Sequence, residues 1–238
     1  AAFTAASVSM PINMNTLCSY FGRSLSPTEA RELVAAATQG LNASSATNLE
    51  DRAIALVGKD LYRAFVAGYT QKQWQVDPRQ LPPEIISRLP VRYTFESRYF
   101  SDTWEGLPLD GYHSWFRRLV DHPQIQILTG VDFFDIRGDL RIRPPMVFTG
   151  PVDRYFNHKA GPLSWRTLDF ETETLGVSDF QGTSVMNYAD LNVPYTRIHE
   201  PRHLHPERTN MSTDRTIVVR EYSRAALATD EPYYQIRA

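Results

Sequence analysis

Apolar positions in the first half of the chain recur at helical spacing. Ala30, Leu33, Val34 and Ala37 fall on one side of a helix. Ahead of them, Ser26-Pro27-Thr28-Glu29 supplies an N-cap serine, a proline at the first helical position and a glutamate to complete a capping box. Gly40 stops the run. Asn48 with Asp51 caps a second helix carrying Ile54 and Val57, and Leu61 and Phe65, one turn apart, mark a third. Pro82-Pro83 and Pro90 interrupt the next stretch of chain, which puts Arg88 on a loop or at a frayed helix end. Tyr112 to Val120 makes one further amphipathic helix.

After His122-Pro123 the period changes from helical to alternating. Gln124 to Leu128, Met146 to Thr149, Thr167 to Thr172, Thr183 to Met186 and Thr216 to Val219 read as strands. Short Gly- and Pro-bearing loops between them favour antiparallel pairing over helical crossovers. The expected fold class is α+β, a helical lobe packed on a mostly antiparallel β-sheet. The helical lobe spans residues 13–122 and the sheet domain takes residues 123–238.

At 238 residues the chain can bury a sizeable core as one large domain or two smaller ones. A formal net charge of −2 gives no broad basic field, so nucleic acid is not an expected partner and anion binding must come from local arginines. Cys18 is the single cysteine, which excludes an internal disulfide and suits a reducing, cytoplasmic setting. No apolar run approaches the ~20 residues of a membrane span, so no membrane insertion is expected. No secretory leader is visible at Ala1.

Candidate chemistry concentrates between Gly68 and Phe100. Tyr69, Trp74, Tyr93, Tyr99 and Phe100 alternate there with Arg88, Arg92 and Arg98. Rings stack on a flat base and the planar guanidinium fork matches phosphate oxygens. Ordinary core aromatics and solvated arginines are the commoner explanation of such a stretch, and surface salt bridges are expected for Arg92 and Arg98. A second cluster, His199, Glu200, His203, His205 and Glu207, has the donor types of a zinc-dependent hydrolase. Its spacing fits no His-Glu-x-x-His helix, and Pro201 and Pro206 exclude a regular helix there, so no metal site is expected.

Several long motifs, in order, carry a resemblance. Gly68-Tyr69-Thr70-Gln71-Lys72-Gln73-Trp74 and Arg88-Leu89-Pro90-Val91-Arg92-Tyr93 come first. Thr149 to Phe156, Trp165 to Phe170, Val185 to Tyr188, Val193 to Glu200, Arg220 to Arg224 and Asp230 to Tyr234 come after them. From roughly Met10 onward the chain resembles UDP-galactopyranose mutase, a flavoenzyme family that interconverts UDP-galactopyranose and UDP-galactofuranose. The resemblance implies the central part of a GR2-like flavoenzyme and adds residues 1–12, near Val8 to Met10, to the sheet. The helical lobe then becomes the substrate-binding lobe, with a mobile loop around Arg88.

Residue by residue, the resemblance implies that Arg88 and Arg197 clamp the diphosphate and stabilise charge on the departing UDP. Phe65, Tyr69, Thr70 and Trp74 would surround the uridine and its neighbours, and Tyr99, Asn187 and Tyr234 would contact phosphate and sugar. Phe134 would lie near the flavin adenine, although its pairing with Phe133 reads equally as core. The implied chemistry passes through an adduct between the sugar and N5 of reduced FAD. Bacterial members are commonly homodimers. The family's dinucleotide-binding turn, Gly-x-Gly-x-x-Gly, is absent, because no two of the twelve glycines lie two positions apart. The chain is therefore expected to bind UDP or UDP-galactose while retaining little FAD and not turning over. A non-catalytic nucleotide-sugar-binding or dimerisation module is the remaining alternative.

Overall fold

The computed structural model describes residues 7–86, 91–100, 102–138 and 145–236. Two compact units make up the chain. One comprises Ala1–Thr103 with Ser164–Ala238, and the other is Trp104–Leu163.

In the first unit the helices begin where polar side chains can satisfy free backbone N–H groups. Helix α1 (Met14–Phe21) opens with a capping box: Asn13 Oδ1 accepts from the Thr16 N–H at 3.1 Å, and Thr16 Oγ1 accepts from the Asn13 N–H at 3.1 Å. It stops at Gly22, whose φ of 66° is left-handed. Helix α2 (Pro27–Ala37) has the expected Ser26–Glu29 box, and α3 (Leu49–Val57) the expected Asn48 cap. The third expected helix is longer and less regular. A short α4 (Lys59–Leu61) widens into a π-helical segment (Tyr62–Ala67) and tightens again as α5 (Gly68–Trp74). Leu17, Ala30, Val34, Leu49, Ala53, Val57 and Leu61 bury their side chains together between these helices. Each large one contributes roughly 1.5–3 kcal/mol relative to exposure.

The sheet runs β2-β3-β4-β1-β5, with every pair antiparallel. Strands β1 (Ser164–Leu175) and β4 (Thr216–Ala225) form its long centre. The short strands β2 (Val185–Asn187), β3 (Arg197–His199) and β5 (Tyr234–Ile236) flank them. The α+β class with a mostly antiparallel sheet therefore holds. Three details differ. Gln124 to Leu128 and Met146 to Thr149 form no strand, because among the described residues no backbone lies alongside to complete a ladder. Val8 to Met10 lie outside the sheet, and the Ser9 carbonyl instead accepts from the Thr16 hydroxyl at the start of α1. The strand expected from Thr183 begins at Val185.

The second unit carries α6 (Gly111–Leu119), α7 (Phe133–Ile136) and α8 (Val152–Tyr155). Phe133, Phe134, Phe148 and Tyr155 meet ring to ring at 5.1–5.7 Å, and Arg154 bridges to Asp132 at 2.6 Å. None of its described residues is buried. Among the described residues of the chain, no helix is long and apolar enough to cross a membrane.

Candidate functional site

Helix α5 meets the polypeptide after β2 at very short range. A Cβ on Gly68 would sit 2.0 Å from the Ala189 carbonyl oxygen, so only glycine allows this approach. One turn on, Lys72 Nζ donates to the carbonyls of Asp190, Val193 and Tyr195 at 2.9, 3.0 and 2.9 Å. Burial pulls the Lys72 pKa down, against the opposing influence of Asp190. The helix ends at Trp74, and Gln75 turns the chain with φ of 53° while its Nε2 donates to the Ser223 carbonyl at 2.9 Å. Arg166, on β1 and 2% exposed, bridges helix and sheet. Its Nε donates to the Gln73 carbonyl and to Ser223 Oγ, both at 3.2 Å. A cation at the last turn of α5 also opposes the negative end of the helix dipole. Desolvation lowers the Arg166 pKa.

The ladder decides which side chains share this face. Asn187 pairs with Arg197, Arg197 with Glu221, and Tyr234 with Arg166. Directly opposed residues project to the same side, as do residues two apart on one strand. Asn187, Arg197, His199, Glu221, Ser223, Arg166 and Tyr234 therefore occupy one face of the sheet, the face that α5 reaches through Arg166 and Ser223.

Arg197 forms the centre. Its Nη2 donates to the Tyr69 hydroxyl, and its guanidinium carbon lies 5.7 Å from the Tyr69 ring centroid. Nε is 3.2 Å from Glu221 Oε1, within ion-pair reach but not aligned as a hydrogen bond. The side chain stays 25% exposed, so a ligand can reach it. Burial tends to lower the Arg197 pKa, but the neighbouring Tyr69 and Glu221 outweigh it and the net direction is upward. Burial raises the Tyr69 pKa despite the adjacent guanidinium, so the phenol stays protonated at neutral pH. Burial likewise pushes Glu221 up, yet His199, Arg197 and Thr196 together hold it below the usual range. Trp74 and Tyr234 lie with ring centroids 6.4 Å apart at 59°, and Tyr234 is close enough to Arg197 to contribute to its raised pKa. A partly open cation beside two phenols, one of which has an indole next to it, suits an anion carrying a flat ring.

The structure thus brings Tyr69, Trp74, Arg197 and Tyr234 together, with Asn187 beside Arg197 across the ladder. Thr70 is buried in α5, 6% exposed. Phe65 packs edge-on to Tyr20 at 5.7 Å against the helical core. Tyr99 is 60% exposed and packs on Phe100, while its carbonyl accepts from Arg92 Nη2 at 2.7 Å. Arg92 thus spends its guanidinium on carbonyls, whereas Arg98 pairs with Glu96 at 3.4 Å. Phe134 belongs to the second unit, under the Arg154 guanidinium at 4.5 Å. Arg88 lies outside the described residues.

Of the histidine–carboxylate cluster, Glu200 and His203 come together, joined by Asp179, with ligand atoms within 4.8 Å of one another. The Glu200 carboxylate already accepts from the Thr216 hydroxyl at 2.7 Å and from the Phe180 and Gln181 N–H groups at 3.1 and 2.9 Å. It ties the turn before β2 to β4. His199 turns away to Glu221, and His205 pairs with Glu207. Sequence reading passed over Arg166 and Lys72 and gave Glu221 and His199 no firm role. The visible signal was only the charged residues on strands that pair across the ladder.

A family model for UDP-galactopyranose mutase matches residues 64–238. A dTDP-fucopyranose mutase of Escherichia coli is 36% identical over 234 residues, 96% of this chain and 61% of that protein. A protein of Klebsiella pneumoniae named "probable UDP-galactopyranose mutase" is 38% identical over 230 residues, 96% of this chain and 58% of that protein. A UDP-galactopyranose mutase of Mycoplasma pneumoniae is 31% identical over 181 residues, 71% of this chain and 45% of that protein. The chain spans about three-fifths of the length of the first two relatives.

Proposed function

This chain belongs to the UDP-galactopyranose mutase family, and on that premise we propose that it is the substrate-binding part of an isomerase that interconverts UDP-galactopyranose and UDP-galactofuranose. The observation carrying this reading is the placement of Tyr69 and Tyr234 beside the partly exposed Arg197, with Trp74 next to Tyr234. The rings offer faces for the uracil and sugar, and the guanidinium offers donors to a phosphate oxygen. When the anomeric bond to UDP breaks, negative charge grows on the departing oxygen. A guanidinium already fixed in place stabilises that charge more than the ground state, and such a donor is worth about 3 kcal/mol in a desolvated site. Arg88 is proposed as the second arginine of this clamp, on the family motif alone.

Bond-making at the sugar belongs to the family's reduced FAD. Two observations support a reading in which this chain holds it poorly. No Gly-x-Gly-x-x-Gly turn is present, and the N-termini of α1, α2 and α3 are each closed by their own capping side chain. The isolated chain is proposed to retain little FAD and not to turn over. Flavin absorbance co-purifying at one equivalent would contradict this.

The Escherichia coli relative supports a second reading, in which the ligand is a dTDP-6-deoxyhexose. Calorimetric titration with UDP and with dTDP discriminates. Heat with UDP that disappears in Arg197→Ala supports the first reading, and preference for dTDP supports the second. No heat with either nucleotide at millimolar concentration overturns both.

A further inference from the structure

A carboxylate beside an anion-binding arginine is, by Coulomb's law alone, a disadvantage, because it competes with the ligand for the same charge. Glu221 occupies that position and is almost completely buried, at 3% exposure. Its placement is dictated by the sheet. Glu221 is directly opposite Arg197 in the ladder and diagonal to His199, two residues further along β3. Oε1 faces Arg197 Nε at 3.2 Å and accepts from the Thr196 hydroxyl at 3.1 Å, while Oε2 lies 3.1 Å from His199 Nε2. The backbone is fixed as well, since the Glu221 carbonyl accepts from the Thr196 N–H at 2.8 Å. With both oxygens engaged, the carboxylate has one orientation. It meets the Nε side of the guanidinium while the Tyr69 hydroxyl takes Nη2, and Nη1 has no partner among the described residues.

We propose that Glu221 is a positioning residue, set by Thr196 and His199, that fixes the rotation of the Arg197 guanidinium so that its Nη1 edge is presented to a ligand phosphate. The proposal rests on the reading of Arg197 as the diphosphate-binding arginine. Position and charge make opposite forecasts. Glu221→Asp keeps the charge but withdraws the carboxylate by one methylene. Glu221→Gln keeps an acceptor oxygen at full reach but removes the charge.

The experiment titrates UDP into the wild-type chain and both variants, and records the Arg197 Nε–H signal by NMR without ligand. Loss of one charge-assisted contact corresponds to about fivefold or more in affinity. Glu221→Asp should lose UDP affinity by at least that factor and shift the Arg197 Nε–H signal towards that of a free arginine. Glu221→Gln should stay within about twofold of wild type on the same scale. Unchanged affinity in Glu221→Asp with tighter binding in Glu221→Gln would overturn the proposal in favour of charge alone. If wild type binds no UDP, the functional reading fails, and the Nε–H signal decides positioning separately. A signal identical in wild type and Glu221→Asp then overturns it.

Discussion

At the scale of single residues, the Tyr69 hydroxyl and the Glu221 carboxylate do different work for one guanidinium. The hydroxyl accepts from Arg197 in a half-buried setting, and a hydrogen bond to a charged partner is worth roughly 1.5–3 kcal/mol. Tyr69→Phe should therefore lower unfolding free energy by about that amount in urea melts, and a loss under about 0.5 kcal/mol would show the bond contributes little. Glu221 makes a pH-dependent contribution. Its folded pKa is held below the ordinary glutamate value by His199, Arg197 and Thr196, against the upward push of burial. The unfolded state then binds the proton more readily, so this stabilisation is complete above the unfolded pKa of about 4.3 and is lost as pH falls through the folded value. Wild type should lose melting temperature on acidification below about pH 5 more steeply than Glu221→Gln. Parallel curves for the two proteins would remove Glu221 from the acid response.

Helix α5 shows why a helical segment of modest length can be positioned so firmly. Lys72 engages three carbonyls of the polypeptide between β2 and β3, and Arg166 and Gln75 join its C-terminal end to β1 and β4. Gly68 is the tightest contact. Inside a helix alanine is ordinarily better than glycine by about 1 kcal/mol, yet here its methyl would overlap the Ala189 carbonyl. Gly68→Ala should reverse the propensity and destabilise by roughly 1–3 kcal/mol, with a change in Trp74 fluorescence as α5 is displaced. A stabilised variant would show that the Ala189 segment yields without cost. These elements also mark how far sequence alone could reach. Ser26–Glu29 and Asn48 announce α2 and α3 because capping is local, and β1 and β4 are legible because their alternation is long. Gln124 to Leu128 carries the same alternation without a partner strand among the described residues, and pattern cannot supply one. The site divides in the same way. Tyr69, Trp74 and Arg197 are readable from motifs, whereas the Arg197–Glu221–His199 relation exists only through a register that joins residues twenty or more positions apart. Lys72 is invisible for the same reason, since its three acceptors are backbone carbonyls that any residue would provide.

At the scale of the whole molecule the two units differ in what holds them. The unit containing the sheet has a continuous buried core, with Leu17, Leu49, Val57 and Ile12 all at 1% exposure or less. Trp104–Leu163 has no buried residue among those described, and α6 exposes Tyr112, Trp115, Phe116 and Leu119 at 54, 42, 52 and 61%. Those four keep helical spacing and form one exposed apolar stripe, with nothing among the described residues of its own unit burying it. A helix of this length is marginal in water without tertiary packing. Its amides should therefore exchange with solvent within about a hundredfold of unstructured rates, while those of β1 and β4 exchange only through opening of the whole unit. A hydrophobic-surface dye should bind the native chain, and Trp115→Ser with Phe116→Ser should reduce that binding without lowering the protection of β1 or β4. Hydrogen exchange read by mass spectrometry separates the units directly. If residues 111–119 were protected as strongly as β4 in dilute, monomeric chain, an apolar surface other than those described would have to cover α6. Burial of Trp115 and Phe116 would then be measurable as loss of dye binding.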